Sequence, residues 1–266
     1  MNIRCSRLVG TLALLGLFMM DARLGQTYAA ALDEAVGRYR NYLIEDIDRA
    51  FAGARQLREC IVAGDIECAK KAWISARGGW ERSEVFTSGL APELDEKIDT
   101  WPESTAGFHA IEAKLFGAKR TDVMTETDAL IADLAELDAK LRKMPLPAQD
   151  LLNGVARLAY EVGQSKADGG ESRFSGTSLD DMRNNVAGIE QAYKTIFAAA
   201  LVASDPTLAA KTQAEIDSLN ALLEGPSLKA IDPDELRKAS EEFVVTLSGA
   251  APKIGLRKPV LEDPTQ

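Results

Sequence analysis

LDEAVGRYRNYLIEDIDRAFAGARQLRECI, residues 32–61, is the stretch that decides the fold class of this chain. Its apolar side chains recur at the three- and four-residue spacing that keeps one face of an α-helix buried. They are Val36, Tyr39, Leu43, Ile47, Phe51 and Leu57. Alanine, leucine, glutamate and lysine dominate the rest of the chain, and these residues favour helix. The sequence therefore predicts an all-α protein.

Further helical segments follow along the chain, most of them bounded by proline, glycine or a helix-capping residue. We predict helices at residues 65–86, 122–143, 147–166, 179–202, 206–223 and 232–247, and another that opens at His109. Residues 89–107 are polar and contain proline, so no helix is predicted there. About eight helices of this kind predict two packed four-helix up-down bundles.

The ends of the chain differ from its centre. Residues 1–29 have the pattern of a signal peptide, with Arg4 and Arg7 before an apolar run at residues 8–20. That run is too short to span a bilayer, and no later stretch is long and apolar enough to do so. We therefore expect export to the periplasm, a helical domain at residues 30–250 and, because residues 251–266 lack periodicity, a flexible C-terminal tail.

The charge balance excludes some classes of partner. The chain has 31 basic and 41 acidic residues, and residues 1–29 hold three of the basic and one of the acidic ones. The remaining chain has a net charge of −12, which repels phosphate backbones and attracts cations. Nucleic acid is therefore not an expected partner.

Two cysteines remain once the predicted signal peptide is removed. Cys60 and Cys68 lie on either side of a helix stop at Gly64 and a capping residue at Asp65, so a helical hairpin brings them together. An exported protein meets oxidising conditions. We expect a disulfide, and the alternative is a pair of buried free thiols.

The only histidine of the chain lies in GFHAIE at residues 107–112. His109 and Glu112 are three residues apart, as are Glu81 and Glu84, and side chains at this spacing share one face of a helix. Such pairs are commonly just solvated surface, or a buried histidine bonded to a carboxylate. Here large apolar residues adjoin both pairs, and carboxylates at the edge of a core need a cation or hydrogen-bond donors.

Several motifs occur in an order that resembles the EfeO/EfeM proteins of bacterial iron uptake, which share a domain with the imelysin-like group. The motifs are ERSE at residues 81–84, LDEKID at 94–99, GFHAIE at 107–112, ESRFS at 171–175 and LDD at 179–181. The resemblance covers almost all of residues 30–250. It implies an imelysin/EfeO-like all-α domain of two four-helix bundles with a metal centre.

The resemblance also implies a ligand set and partners. The candidate metal ligands are Glu81, Glu84, Asp99, His109 and Glu171, with Glu112 as a further ligand or a partner of one. Arg82 or Arg173 could hold a ligand carboxylate in place. A site of one imidazole and several carboxylates suits iron, as Fe²⁺ or Fe³⁺, manganese or calcium, and also binds zinc or copper. The implied partners are an inner-membrane iron permease and a haem peroxidase of the same system.

Two alternatives to an iron carrier stay open at this point. Imelysin-like proteins have been labelled HxxE metallopeptidases, but an HExxH zinc site needs two histidines and this chain has one, so we expect no enzyme activity. The other alternative is a periplasmic protein that binds an acidic polysaccharide such as alginate. Lys70 and Lys71 could contact the polymer, although adjacent lysines on a helix are usually solvated.

Overall fold

The computed structural model describes residues 9–100, 105–167 and 169–261, with side chains from residue 28 onward. Of the predicted signal peptide at residues 1–29, residues 1–8 lie outside the described chain, and residues 9–27 are described without their side chains. The helices are α1 (Val9–Val62), α2 (Ile66–Leu90), α3 (Pro92–Asp99), α4 (Gly107–Glu112), α5 (Met124–Leu141), α6 (Ala148–Gly163), α7 (Ser178–Ala192), α8 (Ala198–Ser204), α9 (Pro206–Leu222) and α10 (Pro233–Ala250). The described ranges contain no strand, which confirms the predicted all-α fold.

A tight hairpin joins α1 to α2. Gly64 takes a positive φ of 70°, and the Asp65 carboxylate accepts a hydrogen bond of 2.9 Å from the backbone of Cys68. Both are the stop and start signals expected at this point of the sequence. The structure joins Cys60 and Cys68 in a disulfide, with 5.5 Å between their Cα atoms, so the two helices are linked covalently at one end.

Helix α2 lies at the centre of the molecule and packs against α1, α6 and α7. A methyl group at Gly154 of α6 would overlap the carbonyl of Val85, and one at Gly188 of α7 would overlap that of Arg82. The absence of a side chain therefore lets both helices approach the backbone of α2 directly. The contacts divide these helices into one group of α1, α2 and α5 and another of α6, α7, α9 and α10, and α2 joins the two groups through α6 and α7.

The structure differs from the predicted helices in two places. Helix α3 lies in residues 89–107, where none was predicted, because Pro92 opens it and Leu94 and Ile98 bury one of its faces. The predicted helix at residues 179–202 is interrupted, because a π-helical turn at Tyr193–Phe197 separates α7 from α8. A second π-helical turn, Ala113–Gly117, extends α4.

The C-terminal segment also differs from the flexible tail predicted at residues 251–266. Ala251–Ile254 forms a 3₁₀ helix, and Ile254 is buried. The side chain of Gln149 accepts a hydrogen bond of 2.8 Å from the backbone N–H of Arg257 and donates one to its carbonyl. These contacts satisfy backbone groups that a loose tail would leave to water. Residues 262–266 lie outside the described part of the chain.

None of the helices in the described ranges is both long enough and apolar enough to cross a bilayer.

Candidate metal centre

Five of the predicted ligands meet at one place in the molecule. Glu81 and Glu84 come from α2, Asp99 ends α3, His109 lies in α4, and Glu171 lies in the connection between α6 and α7. They form two overlapping groups, one of Asp99, His109 and Glu171 and the other of the four carboxylates. Within each group the candidate ligand atoms lie within 4.8 Å of one another, which is close enough to surround one cation.

The entry into α4 aims His109 at this cluster. Gly107 has φ of +68°, and a Cβ atom there would overlap the carbonyl of Ile98, so glycine is required for both reasons. His109 is buried, with Nε2 3.2 Å from Asp99 Oδ1 and Nδ1 3.4 Å from Glu112 Oε2. The Nε2 atom has no hydrogen bond of good geometry within the described chain. An imidazole nitrogen in that position is suited to bind a cation.

Glu112 has a different setting from the other predicted ligands. Its Oε1 atom accepts hydrogen bonds from the backbone of Phe174 at 3.0 Å and of Ser175 at 2.8 Å, and one of 2.7 Å from the Ser175 hydroxyl. It belongs to neither group of candidate ligands in the described chain. Glu112 therefore orients His109 and fastens the α6–α7 connection to α4, which fits the predicted role of a partner to a ligand better than that of a ligand.

Sequence reasoning missed Arg77, which lies beneath the cluster. Its side chain is 1% exposed and contacts Asp99, Glu81 at 2.6 Å, Glu171 at 3.0 Å and Asp181 at 3.4 Å. Arg77 lies one turn before Glu81 on α2, so the i, i+4 spacing of opposite charges was the available signal. Its guanidinium is a fixed counter-charge to the carboxylates around it.

Lys166 is a second missed cation, and it reaches the cluster from the side of the solvent. Its Nζ atom lies 2.9 Å from Glu84 Oε2, 3.0 Å from Glu171 Oε1 and 3.1 Å from Glu81 Oε2. The side chain is 6% exposed. No periodic pattern in the sequence could reveal it, because it lies beyond the end of α6 and 85 residues from Glu81.

Neutral donors complete the surroundings of the carboxylates. Asn185 of α7 donates its amide N–H groups to Glu81 Oε2 at 2.8 Å and Glu84 Oε2 at 2.7 Å. The Trp80 indole donates to Asp99 Oδ2 at 2.7 Å. These contacts hold the acids in place, as hydrogen bonds to ligand side chains do in metal sites.

The charges of the cluster shift the pKa values of its members in opposite directions. Burial acts to raise the pKa of Asp99, but Arg77 and His109 outweigh it and hold that pKa well below its usual range. Burial and the charge of Glu81 raise the pKa of Glu84 well above normal, against the pull of Lys166. Burial and Arg77 act to lower the pKa of His109, yet Asp99 and Glu112 outweigh them and raise it to about 9. In the metal-free protein Asp99 is therefore ionised and His109 carries a proton at neutral pH, so a metal ion can bind Nε2 only if that proton is released.

Arg82 and Lys70 pair with residues outside the cluster. Arg82 binds Asp46 at 2.8 Å and Asn184 at 2.6 Å instead of a candidate ligand, because neighbouring helical residues point about 100° apart and Glu81 faces the site. Arg173 is exposed. Lys70 pairs with Glu67 at 2.8 Å and lies over the ring of Phe116, and Lys71 is exposed.

An open cleft of about 360 Å³ leads to the carboxylates. Its lining is mainly acidic and comprises Glu84, Asp95, Asp99, Glu161, Ser165, Lys166, Gly170 and Glu171. Acidic walls in a protein of net negative charge concentrate cations at the entrance. Oxygen donors with one imidazole form a hard site, which suits iron and manganese better than ions that prefer thiolates.

Comparison with known proteins identifies the family. A family model described as imelysin, peptidase M75, matches residues 35–106 and 103–252. An EfeM/EfeO family lipoprotein of Staphylococcus haemolyticus is 31% identical over 205 residues, which cover 73% of this chain and 71% of the relative. The chain belongs to the imelysin family, in its EfeM/EfeO group. This finding confirms the resemblance read from the sequence motifs.

Other relatives of this imelysin-family protein are longer than the chain. The iron uptake system component EfeO of Escherichia coli K12 is 29% identical over 202 residues, which cover 73% of this chain and 54% of EfeO. The chain thus spans about half the length of such relatives. A crystal structure from Parabacteroides distasonis, of a protein named as an iron-regulated protein A precursor, shares the fold with a TM-score of 0.69 at 17% identity, over 85% of this chain and 95% of the other.

Proposed function

We propose that this protein is the metal-binding component of an iron uptake system outside the cytoplasm. It binds iron with Glu81, Glu84, Asp99, His109 and Glu171 and passes it to a membrane permease. The names of its EfeM/EfeO relatives support the link to iron uptake, and one of them is called a lipoprotein. The predicted signal peptide supports a periplasmic location.

The observation that carries the proposal is the convergence of four carboxylates and one imidazole from four separate segments of the chain. Their candidate ligand atoms lie within 4.8 Å of one another in two overlapping groups. Buried carboxylates repel one another, and Arg77 and Lys166 offset part of this repulsion, so a bound metal ion would stabilise the cluster further. The cleft beside them gives an ion a route in and out without unfolding of the site.

Direct binding measurements test the proposal. Calorimetry of the purified protein with Fe²⁺ under nitrogen, and with chelated Fe³⁺, should show one tight site. His109→Ala and Glu171→Gln should each weaken binding by roughly tenfold or more, because each removes a donor from the site. Glu215→Gln is the matched control, since this carboxylate is 16% exposed against 14% for Glu171 and bonds to Thr246 outside the cluster.

The proposal fails if neither form of iron binds wild type more tightly than His109→Ala. It also fails if Glu215→Gln weakens binding as much as Glu171→Gln, because the loss would then not depend on the cluster.

The geometry supports binding in preference to peptide hydrolysis. The glutamate of the HxxE motif is Glu112. One of its carboxylate oxygens accepts hydrogen bonds from the backbone of Phe174 and Ser175, and the other faces His109. A general base must instead face a water molecule and the substrate. We therefore propose a carrier without catalytic activity.

A further inference from the structure

We propose that the ammonium group of Lys166 occupies the position of the incoming cation, so that an ion can bind only by displacing it. This inference rests on the proposed function and adds a specific role for a residue that sequence motifs do not mark. Lys166 is then a built-in competitor that selects for highly charged ions and assists their release.

The contacts of Lys166 carry the argument. Its Nζ atom lies 2.9–3.1 Å from oxygens of Glu81, Glu84 and Glu171. These are three of the four carboxylates whose oxygens gather within 4.8 Å of one another. A metal ion would approach the same oxygens to about 2.0–2.6 Å. Two cations cannot both fit within that cage of oxygens, so the ion and the ammonium exclude each other.

The side chains of Arg77 and Lys166 differ in their ability to move out of the carboxylate cluster. Arg77 projects from the middle of α2, is 1% exposed and lies against the rings of Trp73 and Phe108. Lys166 lies past the end of α6, lines the cleft and has a flexible four-carbon stem. Arg77 therefore stays as the permanent counter-charge, and Lys166 is the group that can swing into the cleft.

This exchange has consequences for selectivity and release. A monovalent cation that replaces the ammonium adds no charge to the site, so it gains nothing over the lysine already there. A divalent or trivalent ion adds one or two charges and binds. When the ion leaves, the returning ammonium again offsets the buried carboxylates, which would otherwise be left without a counter-charge.

Affinity measurements with a set of variants test the inference. Lys166→Met removes the charge with an unbranched side chain one atom shorter than lysine, and Lys166→Gln removes the charge but retains a hydrogen-bond donor. Both should bind Mn²⁺, an air-stable probe, roughly ten- to hundredfold more tightly than wild type. Lys166→Arg keeps the charge and should show no such gain. Lys140→Met controls for net charge, because Lys140 is paired with Glu93 on the surface.

A second measurement uses the wild-type protein alone. Lys166 should react slowly with an amine-modifying reagent in the metal-free protein, because its Nζ is paired with three carboxylates. Saturation with Mn²⁺ should raise its labelling severalfold, as read by mass spectrometry, while the labelling of Lys140 in the same digest should not change.

The outcomes separate this inference from the function on which it rests. If wild type binds Mn²⁺ and iron but the Lys166→Met and Lys166→Gln proteins bind no tighter, the competitor role is overturned and the proposed function stands. Labelling of Lys166 that does not rise on metal binding overturns it as well, even if both variants fail to fold. If no protein in the set binds either metal, both proposals fall.

Discussion

Replacement of Arg77 by methionine should destabilise the protein severely at neutral pH. The side chain is 1% exposed, and its guanidinium contacts four carboxylates, among them that of Glu81 at 2.6 Å. Removing one member of a buried ion pair costs about 3–5 kcal/mol, because the remaining charge is left unpaired. That is a large share of the roughly 5–15 kcal/mol that stabilises a typical domain.

The size and pH dependence of this effect can be worked out. A loss of 3–5 kcal/mol in a protein of this length lowers Tm by about 6–20 °C. Arg77 lowers the pKa of Asp99 and of Glu81, against burial, which raises it. A carboxyl group with a lowered pKa stabilises the fold above its unfolded pKa of about 4, and that stabilisation is lost as the pH falls. The difference between wild type and Arg77→Met should therefore stay close to its full size from pH 7 down to about pH 4 and shrink as the pH falls further.

Urea unfolding at pH 7 and at about pH 2.5, followed by circular dichroism, measures both quantities. Arg120→Met is the matched control, because Arg120 pairs with Asp122 and both side chains are more than half exposed. Its loss should be at most about 1 kcal/mol. If Arg77→Met unfolds within 1 kcal/mol of wild type at pH 7, Arg77 is not the counter-charge that holds the carboxylates together.

Two further predictions follow from the geometry around α4. The pKa of His109 is raised to about 9, so the stabilisation that its proton provides is complete below the unfolded pKa of about 6.5, declines as the pH rises and is absent above 9. The stability advantage of wild type over His109→Gln, measured by urea unfolding, should therefore fall by up to about 3 kcal/mol between pH 6 and pH 10. A difference that stays constant over this range would contradict the prediction. Gly107→Ala should cost more than Gly64→Ala in thermal unfolding, because both residues have φ near +70° but only at Gly107 does the added methyl overlap backbone, and equal losses would contradict the account.

The helices could be predicted because local signals mark their ends. Asp205 and Pro206 mark the start of α9, and the predicted helix at residues 206–223 ends one residue from the observed Leu222. Helix α3 escaped prediction because it is short and lies among polar residues, and its identity depends on the burial of Leu94 and Ile98. Propensity and periodicity carry little information over eight residues.

The site could be predicted only in part, for a similar reason. Pairs such as Glu81 and Glu84 share a helix face, so the sequence places them on the same side of α2. The counter-charges depend on long-range packing, because Lys166 meets Glu81 across 85 residues of sequence. Arg82 was predicted to hold a ligand carboxylate because it adjoins Glu81 along the chain, but its side chain faces Asp46. Arg77, one helical turn before Glu81, faces the site instead.

The connection between α6 and α7 contributes two groups of opposite charge to one place, Lys166 and Glu171, whose charged atoms are 3.0 Å apart. Glu112 fastens the far end of this connection through Ser175. A shift of the whole connection away from α2 would withdraw one positive and one negative charge together. The summed charge of the remaining groups on α2 and α3 would be the same after such a shift, but Glu81 and Glu84 would lose the ammonium group that contacts both of them, so Lys166 ties the connection to α2.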